Sequence, residues 1–327
     1  MFTATQVIER GTRKAVMSDA SKLFDFLLSA FNSRNVLREE GKAIIDNLET
    51  EIIDFAMQVV LKLNDKVFRP LFVRATKWAT EDAMGSLTER RNRLLVIYKF
   101  SERLFGSLKS IVTSYYGYIV EITADLLVGF VTGKTKFDRE LWDSVIGSLI
   151  AAFSNDQAEF WQAPVRFDKI ADSLLAQLAL GVHSSDLLQQ AIVAFAVSCS
   201  SEDHYKRINK SILNYMRDLD DEDEIMADLQ DAKEDSDAVV QDPKRIARTA
   251  RLNAGSTASD VKITAVKTLK AIYERLGEEW LSMLPQLVPI VAELLEDDDE
   301  NVETEVRNDL VPVIEGILGE SLDRYLS

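Results

Sequence analysis

Apolar residues recur along this chain at i, i+3, i+4 and i+7, the spacing that gathers them on one face of a helix. Leu23, Phe24, Phe26, Leu27, Leu28 and Phe31 stripe one helix, and Ile44, Ile45, Leu48, Ile52, Ile53, Phe55, Ala56, Val59 and Val60 stripe a longer one. The runs Leu94 to Leu108, Ile111 to Val128, Leu141 to Phe153, Ile170 to Leu180 and Leu187 to Ser198 repeat the pattern. No run alternates with a period of two, and no Asn-Gly or Asp-Gly pair offers a hairpin turn. Pro70 and Pro164 sit near expected helix starts, and Gly133 and Gly181 follow expected helix ends. The pattern predicts an all-α chain of helices joined by short turns.

The last third carries an internal repeat. Asp260-Val261-Lys262 is followed by Ala265, Leu269, Ile272 and Leu276-Gly277-Glu278; Asn301-Val302-Glu303 is followed by Val306, Leu310, Val313 and Leu318-Gly319-Glu320. The first trio recurs after 41 residues and the Leu-Gly-Glu after 42. A period near forty is that of a HEAT or armadillo unit, a helical hairpin that must stack on its neighbours to cover its apolar face. A first helix over about 279–295 carries Leu284-Pro285, and an acidic turn, Glu296 to Glu300, leads to the next. Asp260 and Asn301 are placed to cap the helices they precede. The prediction is a HEAT-like α-solenoid of stacked antiparallel hairpins, with a capping helix near Leu322 to Leu326 whose acids Glu315, Glu320 and Asp323 face water.

Charge divides the chain. The net charge is −16 over 327 residues, yet Lys62 to Arg139 holds 14 basic and 8 acidic residues. Asp218 to Asp237 holds 11 acids and one base, and Trp280 onward holds 12 acids against Arg307 and Arg324. Dense like charge repels itself and buries little. Residues 218–259, acidic and then basic at Lys244-Arg245, Arg248 and Arg251, are therefore expected to be a partly disordered insertion, with a short helix over Ile225, Met226 and Leu229. The expected organisation is irregular helical repeats over 1–217, the insertion over 218–259, and terminal repeats with their cap over 260–327. One cysteine, Cys199, excludes a disulfide framework or zinc finger, and two histidines, His183 and His204, leave little for a metal centre. No stretch approaches a membrane span, and Glu9 and Arg10 stand where a secretory signal needs its apolar run.

Several segments together resemble one family. Leu276-Gly277-Glu278-Glu279-Trp280-Leu281, Leu284-Pro285, Ala292-Glu293-Leu294-Leu295-Glu296-Asp297 and Leu318-Gly319-Glu320-Ser321-Leu322 resemble the end of the very large HEAT-repeat protein of the small-subunit processome, the nucleolar U3 ribonucleoprotein assembly. Val67-Phe68-Arg69-Pro70-Leu71-Phe72 with Trp78-Ala79, and Glu159-Phe160-Trp161-Gln162-Ala163-Pro164-Val165-Arg166-Phe167-Asp168, are similar to segments upstream in that family. The resemblance implies a non-enzymatic scaffold of the nucleus and nucleolus. Its expected work is early small-subunit assembly and pre-18S rRNA processing, with a link to ribosomal DNA transcription. Its expected partners are other processome proteins and pre-rRNA or U3 small nucleolar RNA, with no membrane, cofactor or small-molecule substrate. The family protein is far longer, so the resemblance also implies a C-terminal piece ending naturally at Ser327, with Met1 as an introduced start. The repeat alone would equally suit a transport or regulatory adaptor, karyopherin-like or phosphatase-scaffold-like.

Candidate chemistry is sparse. Gly129-Phe130-Val131-Thr132-Gly133-Lys134-Thr135 imitates a phosphate-binding loop but is one residue short between its glycines and follows a helix, which favours a helix end and loop. Cys199 near His204 suggests a thiol nucleophile, but no third group orients the imidazole, so a buried structural thiol is expected. The acids at Asp220 to Glu224 and Asp297 to Glu300 lack the spacing of a calcium loop. Tyr115-Tyr116-Gly117-Tyr118 has rings that could stack on bases, though core packing is expected. The remaining candidate is basic: Arg69, Arg74, Lys77, Arg90, Arg91, Arg93, Lys99, Arg103 and Lys109, which would offer a positive groove to RNA phosphates or an acidic protein segment if they line one face.

Overall fold

The computed structural model describes residues 8, 10–80, 86–157, 159–183, 186–217, 249–251 and 254–326. Its principal elements are α1 (Arg13–Ser18), α2 (Ala20–Phe31), α3 (Ser33–Val36), α4 (Lys42–Lys62), α5 (Asp65–Thr80), α6 (Leu87–Leu108), α7 (Val120–Thr132), α8 (Arg139–Ser154), α9 (Pro164–Leu175), α10 (Asp186–Ser198), α11 (Glu202–Met216), α12 (Ala258–Leu276), α13 (Leu284–Leu294), α14 (Glu300–Glu305), α15 (Val311–Leu318) and α16 (Asp323–Leu326). Short 3-10 segments occupy Lys109–Ile111, Thr113–Tyr118, Ala176–His183 and Gly277–Met283, and one π turn spans Val306–Leu310. No strand occurs among the described residues, and the fold class is all-α as the periodicity predicts. Residues 218–248, and with them most of the expected insertion and its short helix, lie outside the described residues.

The chain forms two compact units, one of residues 1–119 and 139–155, the other of 120–138 and 156–327. In the first, α2, α4, α6 and α8 turn their apolar faces inward. Phe24, Phe31, Phe55, Phe100, Phe105 and Trp142 are all buried there, and the Phe31 and Phe100 rings lie 5.6 Å apart. Full burial of each such side chain contributes about 1.5–3 kcal/mol. Gly147 of α8 lies against α6, where an added Cβ would meet the Glu102 carboxylate at 2.8 Å.

In the second unit the repeat becomes visible as packing. Val261, Ala265, Leu269 and Ile272 of α12 are buried, as are Val302, Val306, Leu310 and Ile314 of the second copy. Ion pairs join the copies: Lys262 to Asp297 at 2.7 Å, Lys270 to Asp309 at 2.6 Å, and Lys267 to Glu305 at 3.5 Å. Both copies end at a glycine with positive φ, Gly277 at 55° and Gly319 at 73°. The partner of Ile272 is thus Ile314, not the expected Val313. The spacing changes from 41 to 42 residues because a π turn encloses one more residue than an α turn, and the turn at Val306–Leu310 absorbs it. Pro312, with no N–H, cannot donate the ordinary bond to the carbonyl four residues back.

Other expectations are corrected in detail. The run Ile111 to Val128 is not one helix; α6 ends where Lys109 takes φ 52°, and two 3-10 segments bury Tyr115 and Tyr116 before α7 begins. The segment over 279–295 is a 3-10 turn followed by α13, which starts beside Pro285. Pro70 lies inside α5, not at its start, because Asn64 Oδ1 already accepts from the Val67 amide at 3.0 Å and sets the helix going earlier. Neither expected Asx cap stands at its helix boundary. Thr257 caps α12, its hydroxyl accepting from the Asp260 amide at 3.1 Å while Asp260 accepts from the Thr257 amide at 2.8 Å; Asp299 caps α14. Glu315, expected in water, accepts from the Leu322 amide at 2.8 Å, and Leu322 is buried.

Gly181 has φ 53°, and a Cβ there would lie 2.9 Å from Ser256, whose hydroxyl donates to the Leu180 carbonyl at 2.6 Å. Gly181→Ala is expected to cost about 1–3 kcal/mol through backbone strain. Gly106→Ala, on an open face of α6 with nothing within 4 Å, is expected to gain about 0.5–1 kcal/mol. Urea midpoints check both, and equal midpoints for the two variants would contradict the assignment.

Candidate partner-binding surface

The nine basic candidates lie on α5, α6 and the turn after α6. Helix α6 starts where the Ser86 hydroxyl accepts from the Glu89 amide at 3.3 Å. Its buried face, Leu94, Leu95, Ile97, Tyr98, Phe100, Leu104 and Phe105, fixes where its cations point. Helix α5 buries Phe68, Leu71, Phe72, Ala75 and Ala79.

Two candidates turn inward. Glu49 of α4 is 1% exposed and takes two parallel bonds from Arg34 of α3, Nε to Oε1 at 2.6 Å and a terminal nitrogen to Oε2 at 2.7 Å. Arg34 also reaches Asp46 at 2.5 Å and Glu140 of α8 at 3.1 Å. Lys99 bridges Glu49 at 2.7 Å and Glu140 at 3.1 Å, and Arg91 holds the other Glu140 oxygen at 3.1 Å. Lys42 reaches Glu140 only at 3.8 Å. Three cations thus meet three carboxylates, and the network ties α3, α4, α6 and α8 together. Burial opposes the charge on Arg34, but its bonds to Glu49 and the charges of Glu49 and Glu140 outweigh this and raise its pKa. Burial likewise pushes Glu140 upward, and the bonds from Lys99 and Arg91 overcome it, holding the carboxyl below its ordinary 4.5.

Arg74 and Arg93 are half-buried against neighbouring side chains, and the other candidates face outward. Arg103 pairs with Asp54 at 3.3 Å and Arg74 with Asp25 at 3.0 Å. Arg93 lies over the Trp78 ring at 4.9 Å and donates to the Trp78 carbonyl at 3.1 Å. Arg69 pairs with Asp65 at 3.0 Å, donates to the Tyr118 hydroxyl at 3.4 Å, and lies over the Tyr115 ring. Tyr115 in turn donates to Asp65 at 2.7 Å, and the bonds from Arg69 and Tyr115 lower the Asp65 pKa. Lys77, Arg90 and Lys109 make no ion pair among the described residues. The nine are therefore divided between an internal staple and several outward positions. Lys66, three residues before Arg69 and eleven before Lys77, shares the exposed side of α5 and was not among the candidates; helical spacing is the signal that marks it.

The remaining candidate chemistry resolves into structure. Cys199 is buried, donates to the Trp161 carbonyl at 3.6 Å and lies 3.7 Å from the Ser198 hydroxyl, and burial pushes its thiol up to about 12. His204 stacks on Phe167 with ring centroids 3.9 Å apart. Gly133, at φ 71°, ends α7, and the Thr135 amide closes on the Gly129 carbonyl at 3.1 Å. Asp297 is taken by Lys262, and Asp299 by its capping bond to Asn301. Asp220 to Glu224 lie outside the described residues. Tyr115 and Tyr116 are core, while Tyr118 is 39% exposed.

Residues 15–161 match the BP28CT (NUC211) domain, a span that contains all nine basic candidates and the buried network. Proteins called U3 small nucleolar RNA-associated protein 10 align along nearly the whole chain. That of Debaryomyces hansenii is 35% identical over 98% of the chain, that of Coccidioides immitis 37% over 98%, and that of Saccharomyces cerevisiae 35% over 100%. The chain belongs to this family. It spans 16 to 17% of the length of these relatives, so the family likeness covers a small part of each of them.

Within this family member the network makes two predictions. Glu49→Ala leaves Arg34 and Lys99 without a buried acceptor and is expected to cost about 3–5 kcal/mol, whereas the double change Arg34→Met with Glu49→Leu costs far less. Urea unfolding decides it; a loss under about 1 kcal/mol for the single variant would place the pair outside the stability core. Because the Glu140 pKa is depressed on folding, its contribution is complete above about 4.5 and is lost as pH falls through the folded value. Glu140→Gln should therefore lower stability at neutral pH and flatten its decline below pH 4.5, measured as urea midpoint against pH.

Proposed function

We propose that this chain is a non-catalytic scaffold segment of the small-subunit processome. It works in the nucleolus, in ribosome biogenesis and pre-18S rRNA processing, with a link to ribosomal DNA transcription. The reading is carried by the alignment of 98% of the chain with proteins named for association with U3 small nucleolar RNA. The same names favour it over a karyopherin-like or phosphatase-scaffold-like adaptor, which the repeat spacing alone would equally suit.

Its mechanism is to hold other molecules on surfaces built by stacked helices. The packing of the two repeat copies supports a HEAT-like solenoid in that part of the chain, where each hairpin covers the apolar face of its neighbour. Such an array has a stability close to the sum of nearest-neighbour terms and presents long faces for partners. The best nucleophile candidate, Cys199, is a buried thiol with a raised pKa, which supports a structural role. Its partners on this reading are processome proteins and pre-rRNA or U3 small nucleolar RNA. No helix among the described residues is long and apolar enough to cross a membrane.

The test is to tag the full-length protein that contains this chain, locate it, and sequence the RNA recovered with it. Nucleolar signal with U3 RNA and pre-18S precursors is the expected result. Signal at the nuclear rim or in the cytosol, with neither RNA enriched, would sink the proposal.

A further inference from the structure

The exposed side of α5 carries Lys66, Arg69, Pro70, Val73 and Lys77, all within about a third of the helix circumference, opposite the buried Phe68, Leu71, Phe72 and Ala75. No carboxylate stands on that arc. Asp65, at its edge, is already taken by Arg69 and Tyr115. Lys66 and Lys77 make no ion pair among the described residues and are separated by about 16 Å along the axis. Beside the stripe lies Tyr118, 39% exposed, its hydroxyl held by Arg69 and its ring 6.1 Å from Tyr115 and 6.5 Å from Phe72. That ring is backed by aromatic packing on one side and open on another, and its orientation is fixed by a cation.

We propose that this face of α5, with Tyr118, binds a single-stranded nucleic acid, Lys66, Arg69 and Lys77 meeting successive phosphates and Tyr118 stacking on a base. A duplex presents phosphates but no unpaired base face. An acidic peptide presents carboxylates but no base for the ring to stack on. A line of cations beside an oriented, half-exposed tyrosine matches the two requirements of a strand with free bases. The net charge of −16 repels a polyanion elsewhere on the chain, which confines binding to the local patch. The inference deepens the scaffold reading and rests on it for the source of the strand, though the test below uses the purified chain alone. Loss of nucleolar localisation would leave the binding intact, and loss of binding would leave a scaffold acting through protein contacts.

Fluorescence anisotropy of labelled oligouridine measures the affinity, with duplex RNA of equal length and polyglutamate as rivals. The three cations should give a slope near −2 of log affinity against log salt, and Lys66→Gln with Arg69→Gln and Lys77→Gln should abolish most of it. Tyr118→Leu should weaken oligouridine binding about 5- to 100-fold and leave duplex binding unchanged. Arg103→Gln, which stands on α6 and not on the α5 stripe, should change little. Should the triple variant fail to fold, Lys66→Gln with Lys77→Gln alone, both exposed and without an ion pair among the described residues, must still reduce the slope. No binding at low salt, full affinity in the charge variants, a silent Tyr118→Leu, or polyglutamate bound as tightly as oligouridine would each overturn the proposal.

Discussion

Burying a guanidinium is tolerable only where its charge and its donors are met, and in the first unit that constraint organises everything around it. Arg34 lies on a helix of four residues, too short to be held by its own hydrogen bonds, and is fixed instead by Glu49, Asp46 and Glu140. Those carboxylates then require further cations, and α6 supplies Lys99 and Arg91. The apolar faces of α2, α4, α6 and α8 would accept several small shifts in register. A bidentate pair flanked by further ion pairs fits one, so the network specifies the arrangement more than it adds to its strength.

The same network changes the meaning of the basic region. A local charge excess suggests a groove offered to a partner, yet Lys99 and Arg91 are spent on internal carboxylates, and Arg93 and Arg74 lie against Trp78 and Asp25. What remains outward is narrower: the side of α5 with Lys66, Arg69 and Lys77, together with Arg90, Arg103 and Lys109. Net charge along a segment counts residues, while a partner meets only those that point outward.

In the second unit a single residue explains an irregular repeat. The two copies bury equivalent positions, but the last one moves from the expected Val313 to Ile314 because the π turn at Val306–Leu310 takes up one residue. Without the turn, every apolar side chain after Leu310 would rotate by about 100° away from α12. The departure from strict period is therefore the means by which the apolar face is kept.

Taken alone, the amino-acid order determined the all-α class, most helix positions, the repeat near forty residues, the buried thiol and the family, because each depends on near-neighbour spacing or on residue identity in short segments. It misjudged Pro70, the caps at Asp260 and Asn301, and the single helix over Ile111 to Val128, where a one- or two-residue choice turned on local hydrogen bonds. Which cations are free was decided only in three dimensions. Glu49 stands fifty residues before Lys99, and Glu140 forty-one after it, so their meeting depends on how α4, α6 and α8 pack, and helical periodicity reports which face is apolar but not which distant carboxylate that face will meet.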